Sequence, residues 1–260
     1  MGTILQTTNL TKFFGGLCAV DGVNIEVKEG EIRGLIGPNG SGKSTFLNLI
    51  CGIENNDRGE IFFNNQEINR EPIHNRAKMG ISRTFQTLEL FKELTVLQNI
   101  MIGFHNSMKS NILGILVQTK KALNEEKDIY EQSTELLKII GISNRANDRA
   151  GSLSYGQQRL LEISRALTTK PKLLLLDEPA AGLNLSEIND LVNLTYKINN
   201  QGVTIIIVEH RMEMIMKISD LITVLDEGKK IAEGKADDIK NNPAVQEAYL
   251  GKKREEYVRN

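Results

Sequence analysis

Residues 37–45 read GPNGSGKST, which fits the phosphate-binding pattern G-x-x-x-x-G-K-[ST]. Gly37, Gly40 and Gly42 let the backbone curl so that successive N–H groups point inward and form an anion-binding nest. Pro38, Asn39, Ser41 and Thr45 complete the run of candidate nucleotide contacts. Lys43 has the reach to meet β- and γ-phosphates, and the Ser44 hydroxyl is suited to ligate Mg²⁺. The loop should open a helix, whose N-terminal partial positive charge also favours phosphate. Residues 173–178 (LLLLDE) supply the complementary chemistry. An apolar strand ending in Asp177 sets a carboxylate at the carboxyl edge of a sheet, where it can hold Mg²⁺ directly or through water. Glu178 follows at once and is suited to accept a proton from an attacking water. Acidic pairs at strand ends are common, and it is the phosphate loop that gives this one its meaning. Together the two segments predict a bound nucleoside triphosphate with Mg²⁺.

A third segment, residues 153–158 (LSYGQQ), precedes the helical run RLLEISRAL. Ser154 is a natural N-cap, and the N–H groups behind it are free to grip a phosphate. An ordinary capped helix would read the same way, so these residues leave both uses open.

The elements that must carry these groups are legible in outline. EIRGLI (31–36) reads as a short buried strand leading into the loop, and STFLNLIC (44–51) as the helix leaving it. Residues 1–34 alternate polar and apolar stretches with glycines between, which suggests antiparallel strands, and 58–64 adds another. Between about 87 and 168 the pattern turns helical, notably at 96–103 and 120–140, with charges on one face. From 172 onward strand and helix signals alternate: LLLLD, then 186–199, VTIIIVEH, a short helix and DLITVLD. The continuous apolar runs at 173–176 and 203–208 mark parallel strands buried on both faces. The expectation is a doubly wound α/β core. The charged stretch 252–260 reads as a frayed tail.

Composition limits the partners. The chain of 260 residues is large enough to bury a substantial core. With a net charge of −1 it offers no basic stripe for nucleic acid. Cys18 and Cys51 lie far apart beside apolar residues, as buried free thiols of a reducing compartment would. The N-terminal residues carry no secretory pattern, and Thr7 falls one place beyond the hydroxyl position of a myristoylation signal. The longest apolar runs, such as ILGILV at 112–117, fall far short of the ~20 residues that span a bilayer. The expected location is cytoplasmic, with any work at a membrane done through a partner.

With these segments in order, the chain resembles the nucleotide-binding subunits of ABC transporters from about residue 5 to 251. The resemblance rests on the phosphate loop, a Q-loop glutamine at Gln86, the signature at 153–158, the LLLLDE strand, a D-loop at 181–184 and a switch histidine, His210. It implies an ABC-type P-loop ATPase with a mixed sheet core, an antiparallel β subdomain and an inserted helical subdomain. The core would span about 1–86 and 169–251, and the helical subdomain about 87–168, all within one nucleotide-binding domain. It further implies that Phe14, or failing that Phe13, stacks on adenine. Gln86 would reach the metal or the lytic water. Lys43, Glu178 and His210 would form the catalytic set, with His210 on the γ-phosphate. Ser154, Gly156 and Gln157 would act in trans, on ATP held by the phosphate loop of a second cassette. Two positions depart from the family pattern: Tyr155 stands for the first glycine of LSGGQ, and Asn184 for the usual D-loop aspartate.

The segments RTFQ, FKELTVLQNI, LSYGQQRLLEI, LLLLDEPAAGLN and NNPAVQEAYLG, with the insertion at about 103–126, are similar to the ATPases of branched-chain amino acid importers. Urea or short-amide importers and the lipopolysaccharide export ATPase share parts of the set. A soluble ABC ATPase without a permease is a different class; its repair and translation forms carry a coiled coil or a second nucleotide domain, and neither is present here. The implied partners are transmembrane permease subunits, a second ATPase (an identical copy or a paralogue) and, indirectly, an extracytoplasmic solute-binding protein. The segment 87–99, with Leu88, Leu90, Phe91, Leu94 and Leu97, is the expected docking face for the permease. The implied location is the inner face of the cell membrane.

Overall fold

The computed structural model describes residues 2–84, 89–107 and 120–249. In chain order the elements are β1 (Thr3–Phe14), β2 (Leu17–Lys28), β3 (Ile32–Ile36), α1 (Lys43–Cys51), β4 (Arg58–Phe63), β5 (Gln66–Glu67), α2 (Ile73–Met79) and β6 (Ile81–Arg83). Then come α3 (Val96–Gly103), α4 (Lys120–Ile139), α5 (Tyr155–Leu167), β7 (Leu173–Asp177), α6 (Leu185–Asn199), β8 (Thr204–Val208), α7 (Met212–Ile218), β9 (Leu221–Asp226), β10 (Lys229–Gly234) and α8 (Ala236–Lys240). Packing divides the chain into two units.

The first unit takes the described parts of Met1–Arg83, Lys172–Ala181 and Ile198–Asn260. It holds both sheets. One is antiparallel with strand order β2-β1-β4-β5; the other has the order β10-β9-β3-β8-β7-β6. In the second, β9, β3, β8, β7 and β6 run parallel and only β10 is antiparallel, so the sheet is mixed. All residues of β3, β7 and β8 are buried, as their unbroken apolar runs require of strands covered on both faces. Gly34 lies where α7 crosses β3; a Cβ there would stand 2.8 Å from Ile215 Cγ2, so only glycine permits that approach. Of the strands expected in residues 1–34, β1 and β2 are antiparallel, whereas β3 pairs parallel with its neighbours in the mixed sheet. The short elements β5 and α2 left no periodic signal. Instead α2 is anchored by buried Arg76, which donates to the carbonyls of Leu49, Ile50 and Glu71.

The second unit takes the described parts of Thr84–Pro171 together with Gly182–Lys197, and among described residues it is helical. The capping box that starts α3 links Thr95 and Gln98. Buried Asn99 ties the preceding turn by accepting from Phe91 N and donating to Phe91 O, both at 3.0 Å. In α5, Arg159 and Glu162 form a buried ion pair of 2.7 Å on the core face. No helix among the described residues is long and apolar enough to cross a membrane.

Candidate nucleotide site

Three neighbouring parallel strands, β3, β8 and β7, bring their carboxyl ends to one edge of the sheet. The register sets Leu35 beside Val208 and Val208 beside Asp177. The loops that follow therefore start at one level: 37–42 after β3, 209–210 after β8 and 178 onward after β7. Open α/β sheets bind ligands at that edge.

In the phosphate loop, Gly42 is the N-cap of α1 with φ 99°, and a Cβ there would lie 2.3 Å from Ala19 O. A Cβ on Gly37 would lie 2.0 Å from Leu225 O. Both glycines thus allow close approach of β2 and β9, and the loop is fixed from outside by Gly228 N donating to Ser41 O at 3.1 Å. Pro38 and Ser41 are buried, while Asn39, Gly40 and Ser44 are exposed and Thr45 half-buried. Lys43 is 5% exposed. Its Nζ donates to the carbonyls of Gly37 at 2.8 Å and Pro38 at 2.9 Å, which holds the ammonium folded over the loop.

Beyond β7, Glu178 has φ 47°, a left-handed conformation that non-glycine residues seldom adopt and that costs about 1–2 kcal/mol. Strain of this kind gathers at functional sites. Two bonds hold it. Glu178 N donates to Val208 O at 2.9 Å, and Glu178 Oε1 meets His210 Nε2 at 2.7 Å. With the carboxylate ionised, the shared proton sits on Nε2. Carboxylate and imidazole, predicted from separate segments, are thereby in direct contact.

Two residues that sequence reasoning missed arrange this edge. Glu209 is 3% exposed and bridges the loops: Oε1 accepts from Ala180 N at 2.5 Å and Oε2 from His210 N at 3.1 Å. Burial pushes its carboxyl above the usual glutamate value, against the opposing pull of backbone bonds from Ala180, His210 and Arg211. Arg83, at the end of β6, donates Nη2 to Asp177 Oδ2 at 2.7 Å and Nη1 to Asn48 Oδ1 at 2.6 Å. Its only signal was a cation at the start of the segment RTFQ. Glu209 stood one place before the histidine that drew attention.

The remaining predicted residues fall as follows. Phe13 and Phe14 end β1 and both are exposed; Lys12 Nζ lies 5.3 Å from the Phe14 ring centre and Arg58 5.9 Å from that of Phe13. Gln86 and Leu88 lie outside the described residues. Phe91 is exposed, while Leu90, Leu94 and Leu97 are half-buried. An open apolar groove is lined by Leu94 and Gln98, which lie within the predicted docking segment, and by Met101, Ile102 and His105, which lie beyond it. Both cysteines are free; Cys51 is buried, but Cys18 is only half-buried.

In the helical unit, Ser154, Gly156 and Gln157 come together at the start of α5. Ser154 Oγ accepts from Gln157 N at 3.3 Å while Gln157 Oε1 accepts from Ser154 N at 3.2 Å, a reciprocal capping box. Tyr155 is exposed, and a Cβ on Gly182 would lie 3.1 Å from its ring. The tyrosine that departs from the family pattern thus packs on the D-loop glycine.

The family model described as ABC transporter matches residues 20–181, and that described as branched-chain amino acid ATP-binding cassette transporter matches residues 229–255. The high-affinity branched-chain amino acid transport ATP-binding protein BraF of Pseudomonas aeruginosa is 42% identical, over 95% of this chain and 98% of its own. The protein LivG of Escherichia coli K12, named for the same transport, is 40% identical over the same shares. A probable LivG of Archaeoglobus fulgidus is 41% identical over 95% of each chain. Among solved structures, the ADP conformation of an ATP-binding cassette of an ABC transporter superposes with a TM-score of 0.85 at 37% identity, covering 96% of this chain and all of that one. A more distant cassette, a dimer in a post-hydrolysis state with ADP and phosphate, superposes at 0.74 with 28% identity over 90% of this chain and 99% of its own. With a nucleotide loop, an acidic strand end and this likeness along nearly its whole length, the chain belongs to the ABC transporter family as one of its ATP-hydrolysing cassettes.

Proposed function

We propose that the chain energises uptake of branched-chain amino acids, working on the inner face of the cell membrane with a permease and a second cassette. The observation that carries the catalytic part is the 2.7 Å contact of Glu178 with His210 at the strand ends that also bear the phosphate loop and Asp177. In this reading Lys43 and backbone N–H groups of the loop hold the β- and γ-phosphates, and Phe14 stacks on adenine. Glu178 takes the proton of the attacking water. His210 holds that carboxylate in place, as a base is held by a third group in other hydrolases. By the family resemblance, Gln86 would reach the metal or the lytic water.

Mg²⁺ fits the donors present. The described residues contain no group of three or more His, Cys, Asp or Glu able to cage a metal. A cation that binds through one or two protein oxygens and completes its shell with phosphate and water suits such a site. Ser44 and Asp177 would supply those oxygens, and the cation would supply positive charge against the phosphates.

Ser154, Gly156 and Gln157 act on the ATP of the partner cassette, whether a copy or a paralogue, and hydrolysis lets the pair separate. The apolar groove of Leu94, Met101 and Ile102 receives a short cytoplasmic segment of the permease, to which a solute-binding protein delivers cargo from outside. The amino acid cargo is inferred from the relatives and from the match at residues 229–255. The test is uptake of labelled leucine and urea in cells depleted of this chain. Loss of leucine uptake alone, restored by the wild-type gene and not by Glu178→Gln, supports the proposal. Loss of urea uptake alone, or no transport defect, contradicts it.

A further inference from the structure

The signature carries a feature that its trans role does not require. Glu187, in the first turn of α6, reaches across to the start of α5. Its Oε1 accepts from Gly156 N at 3.2 Å and from Ser154 Oγ at 3.3 Å. Its Oε2 accepts from Asn184 N at 3.1 Å, and Glu187 N donates to Asn184 Oδ1 at 3.0 Å. One carboxylate therefore caps two helices. A Cβ on Gly156 would lie 2.6 Å from Glu187 Cγ and Cδ, so the glutamate fills the space beside the bare glycine. No acidic residue stands in the first turn of α5 itself. The negative charge that the helix start favours comes from α6.

We infer that Glu187 is an internal stand-in for the γ-phosphate at the signature, an autoinhibitory carboxylate that must be displaced before the signature engages the ATP of a second cassette. The inference rests on the trans reading of Ser154, Gly156 and Gln157 proposed above. A carboxylate and a terminal phosphate present the same kind of anionic acceptor. The Gly156 N–H and Ser154 O–H have one hydrogen each, so a strong bond to one acceptor excludes a strong bond to the other. Two anions also repel in one seat.

Asn184 gains a physical reason from this arrangement. An aspartate there would set a second carboxylate in the capping box with Glu187, whereas the Asn184 amide carries no charge and accepts from Glu187 N. The family departure at 184 is what lets the carboxylate remain. Displacing it frees the D-loop and the signature together, which links the two segments through one side chain.

The test is sedimentation velocity with Mg²⁺ and ATP on the full chain, all variants carrying Glu178→Gln so that ATP persists. Glu187→Gln keeps the shape but removes the charge, and Asn184→Asp repels the carboxylate while leaving it present. Both should tighten the ATP-dependent dimer about tenfold, or about 1.4 kcal/mol. Thermal melting without ATP separates this from a capping role, which would lower the melting temperature and leave the dimer unchanged or weaker. That outcome, in both variants, overturns the inference while the trans reading stands. A Glu178→Gln parent that stays monomeric with ATP refutes the trans reading, and the inference falls with it.

Discussion

Replacing Arg83 by Met leaves a buried carboxylate without its guanidinium. The Arg83 and Asp177 side chains are 10% and 5% exposed, with 2.7 Å between Nη2 and Oδ2. Methionine retains an aliphatic stem of similar length but offers no donor. Removing one member of a buried pair costs about 3–5 kcal/mol, because the remaining charge stays desolvated. Asn48 also loses a donor at 2.6 Å; being half-buried, its acceptor adds only about 1 kcal/mol. The expected loss is thus about 4–6 kcal/mol, a large part of the roughly 5–15 kcal/mol that holds a folded protein. At about 2–4 °C per kcal/mol for chains near this size, melting should fall by at least ~8 °C. The assay is urea and thermal unfolding, without nucleotide, of wild type, Arg83→Met, Asp177→Asn and the double variant. Once Asp177 is uncharged the arginine should matter far less, giving a coupling energy of about 2 kcal/mol or more. Additivity within about 0.5 kcal/mol would refute the reasoning. So would a single-variant loss below about 1 kcal/mol, the range of exposed pairs.

Other outcomes follow from the same geometry. Gly42→Ala places a Cβ 2.3 Å from Ala19 O at φ 99°; nucleotide affinity by calorimetry should fall at least tenfold, and unchanged affinity would contradict the close packing of the loop on β2. Burial raises the Glu209 carboxyl, so the folded state binds a proton more tightly than the unfolded state. Its contribution to stability is then fully present below the ordinary glutamate value and is lost as pH rises through the raised one. Glu209→Gln should flatten that part of the stability–pH curve, and an unaltered slope would count against the assignment. The buried Cys51 thiol is pushed up to about 11, so a thiol reagent at neutral pH should modify half-buried Cys18 well before Cys51; equal rates would contradict the burial pattern.

The parts of the fold readable in the chain were those in which one local rule dominates. The unbroken apolar runs of β7 and β8 and the glycine pattern before α1 identify themselves without tertiary knowledge. The capping sequence at Ser154 marked the start of α5. The segments α2 and β5 were silent because long-range contacts hold them, such as Arg76 gripping the carbonyls that end α1. The candidate site divides along the same line. Lys43, Asp177 and Glu178 stand in segments with distinctive spacing, and His210 was named only by the family resemblance. Arg83, Glu209 and Glu187 act on partners 94, 29 and 31 residues away, and their types alone, a cation and two acids in a chain rich in both, carry no message until the fold assembles them. Tyr155 and Asn184 read as departures in sequence; in space Tyr155 packs on the D-loop glycine, and Asn184 bonds Glu187, whose carboxylate reaches the signature.

The central claim is that Glu178 serves hydrolysis rather than binding, and steady-state turnover beside ATP affinity in Glu178→Gln tests it most directly. A positioned general base contributes about 10²–10⁴-fold. The account predicts ATP affinity within a few-fold of wild type and turnover at least about a hundredfold lower. Turnover within about tenfold of wild type, or ATP binding lost in step with activity, would contradict it.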